Sequence, residues 1–467
     1  MKIAFYTLGC KVNQYETQAL KEKFIELGYE IVGDLDYADI YVVNTCTVTG
    51  LSDRKSRQYI RRTKRINPKS ITAVIGCYAQ VSPEEAASIE GVNIVAGTDE
   101  KNRLPEFVRE YLELHGGGQA LASDQEEEGL ARKEASLGPI RHIRDYAELG
   151  EYQDMGIITS MESRTRAFIK IQEGCNRFCS YCIIPYARGT LRSRSVESVA
   201  AEARSLLAAG FKELVLTGIN TALYGMEPSF EGASGDVRGV EVAVRALNRL
   251  EGDFRIRLSS VEPTVVNAEY VKGLLKYEKL CRHLHLSLQS GSDRVLSAMN
   301  RRYSRQEYMD IVRELLAVDP NFGISTDIIV GFPGETEEDF AQTLDIVRQA
   351  GFCKVHAFKY SRRKGTRAAE RKDQLSAQVK AERSRRLISL AEEEAARFFA
   401  RNKGTTRRVL FEDRDEKTGM LRGHADNFIE VYCQGDSKLG NTFADVLLEE
   451  PFEGGMRGRL SGGNQDV

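Results

Sequence analysis

The stretch EGCNRFCSYCIIP, residues 173–185, places cysteines at positions 175, 179 and 182. Structural zinc sites usually have four closed Cys or His ligands. No further cysteine or histidine follows this stretch before Cys281. Three thiolates suit a [4Fe–4S] cluster, in which three irons are held by the protein and the fourth stays open. The spacing therefore predicts an iron–sulfur cluster whose open iron can bind another molecule.

This cysteine stretch follows the first of six strand-like runs, which are separated by segments of helical length. The runs are AFIKI (167–171), ELVLT (213–217), RIRLS (255–259), LHLSL (284–288), ISTDIIV (324–330) and KVHAF (354–358). Alternating strands and helices of this kind predict a partial (β/α)6 barrel of parallel strands. Active sites in such barrels lie at the carboxyl ends of the strands, where the three cysteines are found.

An N-terminal region repeats the same alternation with IAFYT (3–7), IYVVN (40–44) and ITAVI (71–75), and so predicts a second parallel-sheet α/β domain. Cys10, Cys46 and Cys77 each follow one of these runs with at most two residues between. Because parallel strands end at one sheet edge, the three sulfurs are expected to converge there as a second three-thiolate set. The alternative is that each is a small buried side chain that follows a strand by chance.

The remaining boundaries follow from composition. Residues 116–161 contain GGGQ and an acidic run without apolar periodicity, which indicates a linker or insertion, or else an extension of the first domain. A helix from about 378 to 402 precedes short alternating strands that predict a small antiparallel β-barrel. The predicted divisions are the N-terminal parallel-sheet domain (1–115), the linker or insertion (116–161), the barrel of parallel strands (162–401) and the small β-barrel (402–462).

Charge and cysteine usage restrict the class of protein. The 467 residues include 66 basic and 68 acidic ones, so a nucleic-acid surface requires local clustering of charge. The N-terminus lacks the pattern of a secretion signal, and no uncharged apolar run is long enough to span a bilayer. A cytoplasmic protein with no membrane partner is expected. In that compartment, nine cysteines favour metal binding over disulfides.

The string C-x3-C-x2-C, with Tyr181 before its last cysteine, resembles the signature of the radical S-adenosylmethionine (SAM) superfamily. Almost the entire chain resembles the methylthiotransferase family within it, which combines a three-cysteine domain, a radical SAM barrel and a C-terminal TRAM domain. The resemblance is carried by TLGCKVNQYE, VVNTCTVT, IGCYAQ, KIQEGCNRFCSYCIIPYARG, LTGIN, HLHLSLQSGSD and DIIVGFPGETEEDF.

That resemblance implies two [4Fe–4S] clusters, one on each cysteine trio, with SAM bound at Cys175, Cys179 and Cys182. TLGCKVNQYE and IIPYARGTLRSR are most similar to the branch that adds a methylthio group at C2 of N6-threonylcarbamoyladenosine next to the tRNA anticodon. The implied partners are tRNA, an electron donor and a sulfur donor. Alternatives within the family are isopentenyladenosine in tRNA and an aspartate of a ribosomal protein. An alternative of another class is a non-enzymatic iron–sulfur protein that binds RNA or senses redox state.

Polar residues at several predicted strand ends suit a cofactor with adenine, ribose and amino-acid parts. By resemblance, the SAM-binding residues are Gly218, Asn220, Ser259, Glu262, Gln289, Asp327, Val330 and Phe332. Capping of the following helices is the alternative role for the Ser, Asn and Asp among them. His283 and His285 alternate on one strand face, as either metal ligands or ordinary buried histidines.

Two stretches, RKSRQYIRRTKR (54–65) and SRRKGTR (361–367), are locally basic. Such runs are commonly solvated surface, but the predicted C-terminal barrel makes phosphate contact the better interpretation. The predicted RNA-binding residues are Arg61, Arg62, Arg362, Arg363, Lys403 and Arg407.

Overall fold

The structure, a computed structural model, describes residues 1–115, 138–161, 165–231 and 237–461. The chain divides into two compact units. The first comprises Met1–Ile158, Glu173–Asn176 and Cys182–Arg192, and the second holds the other described residues. Within the described ranges, no helix combines the length and apolar character needed to cross a bilayer.

A parallel six-stranded sheet with strand order β2-β1-β3-β4-β5-β6 forms the centre of the first unit. Its strands are β1 (Lys2–Thr7), β2 (Glu30–Val32), β3 (Ile40–Thr45), β4 (Ile71–Gly76), β5 (Ile94–Ala96) and β6 (Ile140–His142). The two central strands β3 and β4 are buried along their whole length, as expected for a sheet with helices on both faces. The predicted N-terminal parallel sheet is confirmed.

Six α-helices accompany these strands among the described residues of the first unit. They are α1 (Lys11–Glu26), α2 (Gly50–Ile66), α3 (Cys77–Val81), α4 (Pro83–Ala87), α5 (Leu104–Leu114) and α6 (Ile184–Arg188). Thr49 caps α2 by accepting a hydrogen bond from the Ser52 amide. The apolar side of α2, with Tyr59 and Ile60, packs on Val43 and Val74 of the sheet. Its opposite side carries the basic residues.

The sequence pattern of residues 116–161 predicts a linker or insertion, or else an extension of the first domain. Part of this segment belongs to the sheet, because β6 pairs in parallel with β5. The His142 ring also stacks on Phe107 of α5, with 3.6 Å between ring centroids. A strand of three residues with an arginine at its centre has too little apolar alternation to be recognised in a sequence. Residues 116–137 lie outside the described residues.

The second unit contains the six predicted strands as two parallel three-stranded sheets, β11-β10-β7 and β12-β13-β14. These strands are β7 (Arg166–Lys170), β10 (Glu213–Thr217), β11 (Arg255–Leu258), β12 (His283–His285), β13 (Gly323–Val330) and β14 (Lys354–Lys359). Two short strands, β8 (Gln172–Glu173) and β9 (Arg192–Ser193), each have one residue in each unit. Isolated parallel bridges, Ile256 to Leu280 and Val261 to Leu286, join the two sheets. The arrangement is the predicted partial barrel.

Helices separate these strands. They are α7 (Val196–Ala208), α8 (Glu241–Asn248), α9 (Ala268–Leu274), α10 (Asp293–Ala298), α11 (Arg305–Val318), α12 (Glu337–Ala350), α13 (Arg367–Glu370) and α14 (Ala377–Asn402). Capping boxes at Ser304/Glu307 and Thr336/Asp339 fix the starts of α11 and α12. These local signals explain why the strand and helix positions could be predicted closely.

Five C-terminal strands close into a small barrel in the order β15-β16-β17-β19-β18. The strands are β15 (Thr406–Arg414), β16 (Leu421–Ala425), β17 (Glu430–Cys433), β18 (Phe443–Phe452) and β19 (Gly455–Leu460). Phe398 of α14 contributes to the apolar core of this barrel.

The small barrel is joined to the larger one through a buried carboxylate. Glu213 accepts hydrogen bonds from Arg255 Nε at 2.5 Å and Arg257 Nε at 2.9 Å. The same two arginines donate to backbone carbonyls of the small barrel, with 3.0 Å from Arg255 to the His424 oxygen. Because all three side chains are buried, the β15–β19 barrel is fixed to the strands of the larger barrel within the second unit.

Candidate functional site

The N-terminal cysteines lie at one edge of the first unit's sheet. Cys10 precedes α1, Cys46 directly follows β3, and Cys77 begins α3 directly after β4. Strands β1, β3 and β4 are neighbours in the parallel sheet, so their carboxyl ends lie side by side. The three cysteines therefore lie at one edge of the sheet, as predicted.

Two glycines allow this close approach. Gly9 has a φ of +104°, and a Cβ there would lie 2.9 Å from the Cys46 sulfur. Gly76 has a φ of +97°, and a Cβ there would lie 2.7 Å from the Thr45 carbonyl oxygen. Larger residues at either position would push the cysteine loops apart. The glycine that precedes each of these cysteines is therefore part of the construction of the site.

The three thiols differ in their surroundings. Cys10 is exposed, whereas Cys46 and Cys77 are buried. Burial, reinforced by the neighbouring Cys77, raises the pKa of Cys46 to about 11. Burial also raises the pKa of Cys77, against the opposing effect of Arg188 and Lys101. Cysteine binds metal as the thiolate, so the two cations favour the form that a metal requires.

Arg188 and Lys101 belong to a fully buried polar network beside Cys77. Arg188 Nη1 lies 2.9 Å from Glu16 Oε1 and 2.5 Å from Glu173 Oε1. Its Nη2 donates to Asn13 Oδ1 at 2.6 Å, and Lys101 Nζ contacts Glu16. Two cations thus face two carboxylates inside the protein, an arrangement that is stable only when every member is present.

Sequence reasoning missed this network. Its signal was present in α1, where Asn13 and Glu16 are three residues apart on a helix face that is otherwise apolar. Glu173 and Arg188 flank the cysteine stretch, and Lys101 belongs to a short 3-10 helix, Lys101–Arg103. A buried Glu on a helix predicts a cationic partner, but the sequence does not say which of 66 basic residues supplies it.

The N-terminal trio fits a three-thiolate cluster. The cysteines come from three adjacent strand ends, one sulfur is open to solvent, and cations lie next to the most buried one. A cluster bound by three cysteines carries negative charge from its thiolates, which Arg188 and Lys101 are placed to stabilise. The chemistry of this donor set supports iron–sulfur ligation.

The C-x3-C-x2-C stretch contributes to both units, so its parts are described separately. In the first unit, the Cys175 amide donates to the Gly189 carbonyl at 3.1 Å. Gly174 has a φ of +68°, and a Cβ there would collide with the Thr190 carbonyl. This close packing fixes the position of the Cys175 backbone.

In the second unit, Cys179 lies in a turn built on residues that follow α10. Ser180 donates through its hydroxyl to the Ala298 carbonyl at 2.8 Å and through its amide to the Met299 carbonyl. The Asn300 amide group donates to the Phe178 carbonyl at 3.0 Å. Phe178 has a φ of +47°, a strained conformation that these contacts maintain.

Arg301 is the charged group nearest to Cys179 in this turn. Its Nη1 lies 3.4 Å from the Cys179 sulfur and 2.9 Å from Glu262 Oε1. Glu262 Oε2 also accepts from Arg177 at 2.9 Å and from Asn220 at 2.7 Å. Sequence reasoning included Glu262 and Asn220 but missed both arginines. Arg177 lies between Cys175 and Cys179, and Arg301 follows α10.

Several residues predicted to bind SAM do lie together at strand ends. Gly218 packs on the Gln172 side chain, Ser259 donates to Thr217, and Asn220 donates to Glu262. The Asn220 Oδ1 atom is buried and has no hydrogen-bond partner among the described residues. Gln289 has a φ of +67°, a left-handed conformation rare for this residue type. A buried acceptor without a partner, such as Asn220 Oδ1, fits a pocket that a polar ligand completes.

Three further residues predicted to bind SAM, Phe332, Val330 and Asp327, have contacts within the protein. The Phe332 side chain is fully buried with Met299, Tyr360 and Ala368, and Tyr181 packs against this cluster. Through Tyr181, this apolar cluster packs against the cysteine turn. Val330 is likewise fully buried. The Asp327 carboxylate lies 3.1 Å from His285 Nε2.

Comparison with known proteins identifies the relationship. Residues 169–347 match the radical SAM superfamily model, and residues 2–97 match a model described as the uncharacterized protein family UPF0004. The threonylcarbamoyladenosine tRNA methylthiotransferase MtaB of Bacillus subtilis is 39% identical over 96% of this chain and 93% of its own length. Its namesake in Aquifex aeolicus is 38% identical over 94% of this chain and 98% of its own.

The chain belongs to the tRNA methylthiotransferase family. As a radical SAM enzyme, this methylthiotransferase uses SAM and a [4Fe–4S] cluster. The tRNA-2-methylthio-N6-dimethylallyladenosine synthase of Bordetella avium is a further relative, 33% identical over 99% of this chain and 92% of its own length. The radical SAM methyltransferase TsrM of Kitasatospora setae has a similar fold, with a TM-score of 0.53 at 16% identity, over 79% of this chain and 77% of that one.

The methylthiotransferase presents its basic residues on both units. Arg61 and Arg62 are exposed on α2 of the first unit. There Arg54, Arg57, Gln58, Arg61 and Arg65 line an open groove of about 360 Å³. Arg57 is paired with Glu85 at 2.9 Å. The groove is therefore predominantly cationic.

Basic residues of the second unit are more varied. Lys403 is exposed after α14, Arg362 donates to the Ala369 carbonyl at 2.7 Å, and Arg363 is half-buried. The Arg407 guanidinium differs from these, because it is mostly buried and lies 2.9 Å from Asp319. That ion pair engages Arg407 within the protein, which makes it less available for a phosphate contact than the exposed arginines.

Proposed function

We propose that this methylthiotransferase replaces the C2 hydrogen of N6-threonylcarbamoyladenosine, next to the anticodon of tRNA, by a methylthio group. Relatives whose names state that activity match nearly the whole chain at 34–39% identity. The C2–H bond of an adenine is neither acidic nor electrophilic enough for ordinary acid–base chemistry. Radical chemistry supplied by the SAM cofactor avoids that limit.

The SAM-cleaving cluster is assigned to Cys175, Cys179 and Cys182. Arg301, which contacts Cys179, would stabilise thiolate charge there, and Glu262 holds Arg301 in place. Asn220 Oδ1, buried and lacking a hydrogen-bond partner among the described residues, is an acceptor that a cofactor ammonium or hydroxyl group can satisfy. Gly218, Ser259 and Gln289 complete the proposed SAM pocket at the carboxyl ends of the strands.

A second [4Fe–4S] cluster is assigned to Cys10, Cys46 and Cys77, and it would provide the sulfur that is transferred. The observation that carries this assignment is the convergence of the three cysteines at one sheet edge, with buried cations beside Cys77. Arg188 and Lys101 would stabilise the negative charge of thiolates and sulfide at this position. One cluster for each of two tasks explains why the chain has two cysteine trios.

Phosphate contacts with tRNA are assigned first to the groove on α2, where four arginines at helical spacing face one side. An arginine stripe of this kind suits the regular spacing of phosphates along a nucleic-acid backbone. Arg62, Arg362, Arg363 and Lys403 are secondary candidates. Because tRNA is the substrate, we place the enzyme in the cytoplasm, where an electron donor and a sulfur donor must also act on it.

Dimethylallyladenosine, also called isopentenyladenosine, is the second candidate substrate. Relatives whose names state that activity match at 32–35% identity. They share the cluster and SAM chemistry, so only recognition of the N6 substituent distinguishes the two candidates. A ribosomal protein aspartate is a third possibility from the sequence, but none of the relatives cited supports it.

Nucleoside mass spectrometry tests the proposal. In cells lacking this protein, we expect the methylthio form of N6-threonylcarbamoyladenosine to disappear from tRNA while the unmodified form accumulates. The dimethylallyl nucleoside serves as the internal control and should keep its methylthio group. The opposite pattern would establish the second candidate, and no change in either nucleoside would exclude both.

A further inference from the structure

Three potential metal ligands lie on neighbouring strands of the β12-β13-β14 sheet. In the parallel register, His285 pairs with Ser325, and Asp327 pairs with His356. Ser325 and Asp327 are two residues apart on β13, so all four side chains project from the same face. The other face carries Leu284, Ile324 and Ile328, which are fully buried.

The ligand atoms of three of these residues converge. One nitrogen or oxygen from each of His285, Asp327 and His356 lies within 4.8 Å of the other two. His285 Nε2 and Asp327 Oδ2 are 3.1 Å apart. Atoms that share a metal at about 2.0–2.2 Å from each ligand are separated by comparable distances. All three residues are half-buried, so the group is neither sealed in the core nor a loose surface cluster.

A second layer holds the His285 ring in this orientation. His285 Nδ1 lies 3.0 Å from Ser325 Oγ, and the same hydroxyl lies 3.0 Å from His283 Nε2. With Nδ1 engaged by Ser325, the Nε2 atom of His285 is directed at Asp327. Metal-binding histidines in proteins are typically oriented by such a contact at the other ring nitrogen.

The contact between His285 and Asp327 is not an ordinary hydrogen bond. The Nε2 atom is buried and has no hydrogen-bond partner among the described residues, although Asp327 Oδ2 is near. The ring and the carboxylate are therefore close but not aligned for donation. Two ligand atoms that bind the same cation lie close together in this way without a hydrogen bond between them. A cation would provide a partner for both His285 Nε2 and Asp327 Oδ2.

His283, the other histidine of the HLH string, is excluded from the group. Its ring stacks on Phe428 of the small barrel, with 4.6 Å between centroids. The sequence pattern left His283 and His285 open as either metal ligands or ordinary buried histidines. The structure instead separates them and supplies Asp327 and His356 as the partners of His285.

We propose that His285, Asp327 and His356 bind a divalent first-row transition-metal ion. Two imidazoles and one carboxylate are a donor set that such ions prefer, and three protein ligands leave open positions for water or a substrate oxygen. Phe358, on the same strand face as His356, is exposed beside this group. This assignment replaces the SAM contact predicted for Asp327, and it does not depend on which adenosine the enzyme modifies.

Metal binding to the cluster-loaded enzyme tests the proposal. Mn²⁺ and Co²⁺ are dialysed against the protein, and the bound ions are counted by mass spectrometry of the elements. Neither ion is part of an iron–sulfur cluster, so the count is independent of cluster iron. We expect one ion per chain for at least one of the two metals, with a higher melting temperature when it is bound.

Variants make the test specific. Asp327→Asn and His356→Ala should abolish the bound ion, while Ser325→Ala should weaken its binding about 10- to 100-fold by releasing the His285 ring. His115→Gln, a histidine of the first unit, is the matched control and should bind as the unaltered enzyme does. Circular dichroism confirms that each variant is folded. Failure of the unaltered enzyme to bind either metal, or equal binding by Asp327→Asn, would overturn the proposal.

Discussion

Cys77 and Cys179 each have a buried arginine beside them, but the charge around the two thiols differs. At Cys77, Arg188 and Lys101 face Glu16 and Glu173, so two cations are balanced by two carboxylates. At Cys179, Arg301 and Arg177 share the single carboxylate Glu262, so two cations face one carboxylate. The first group is formally neutral and the second carries one excess positive charge.

This difference separates a structural role from an electronic one. A neutral buried network mainly fixes geometry, because removing any member leaves an uncompensated charge. Excess positive charge near a cluster ligand favours the more negative, reduced form of that cluster. We therefore infer that the Cys77 network mainly holds the N-terminal site in shape, while its two cations also stabilise thiolate charge. The Cys179 group, with its excess positive charge, would assist reduction and binding of an anionic cofactor end.

The largest expected effect is a loss of activity that differs between substitutions in the two cysteine trios. Cys179→Ala should abolish both 5′-deoxyadenosine formation and methylthiolation. Cys46→Ala should abolish methylthiolation but retain SAM cleavage. Both products are quantified by mass spectrometry in one reaction, and Cys281→Ala, a buried cysteine outside both trios, is the control that should retain both activities. Normal methylthiolation by Cys46→Ala would show that the N-terminal trio is not the sulfur site.

The second-largest expected effect is the loss of stability when the neutral network beside Cys77 is broken. Arg188→Met leaves Glu16 and Glu173 buried without their shared guanidinium, which should lower the free energy of unfolding by about 3–5 kcal/mol. Arg103→Met removes an exposed arginine that pairs with Glu100 and Glu106, and it should cost about 0–1 kcal/mol. Denaturant unfolding of the two variants measures the difference. Equal losses would contradict the structural role given to Arg188.

A smaller effect is expected at the charged group beside Cys179. Arg301→Met removes a hydrogen bond to a thiolate, and such bonds contribute about 1.5–3 kcal/mol. We expect the midpoint potential of the SAM-binding cluster to fall, with 5′-deoxyadenosine formed roughly tenfold more slowly. A redox titration followed by electron paramagnetic resonance measures the potential. Arg301→Lys, which keeps the charge, should be intermediate, and an unchanged potential in Arg301→Met would refute the electronic role.

The smallest effect concerns the arginine groove on α2. Arg61→Ala should weaken tRNA binding a few-fold and reduce the salt dependence of binding by about one phosphate contact. Arg407→Ala is the matched comparison, since the Asp319 ion pair engages that arginine within the protein. Filter binding over a range of salt concentrations measures both slopes. A larger change in slope for Arg407→Ala than for Arg61→Ala would reverse our choice of RNA-binding surface.

Periodicity and cysteine spacing were enough to predict the parallel sheets and the positions of both cysteine trios. Strands such as β10, Glu213–Thr217, have runs of apolar residues that agree with the structure to the residue. Strand β16 was missed, because Gly423 packs its backbone against Leu410 and interrupts the alternation. Strand β6 was missed because it is only three residues long.

Contacts between charged side chains were beyond sequence analysis for a different reason. Arg188 and Glu16 are 172 residues apart, and Arg407 and Asp319 are 88 apart. No local pattern connects such pairs, since the tertiary fold alone brings them together. The same limit explains why His285 was associated with His283, its neighbour in sequence, instead of Asp327 and His356, which come from later strands.

The central claim is that Cys10, Cys46 and Cys77 hold a cluster of their own. Mössbauer spectroscopy and iron analysis of anaerobically reconstituted protein test it most directly. The intact chain should contain about eight irons, all in [4Fe–4S] form, and the triple variant Cys10→Ala/Cys46→Ala/Cys77→Ala about four. A triple variant that keeps the full iron content and spectrum of the intact protein would contradict the account.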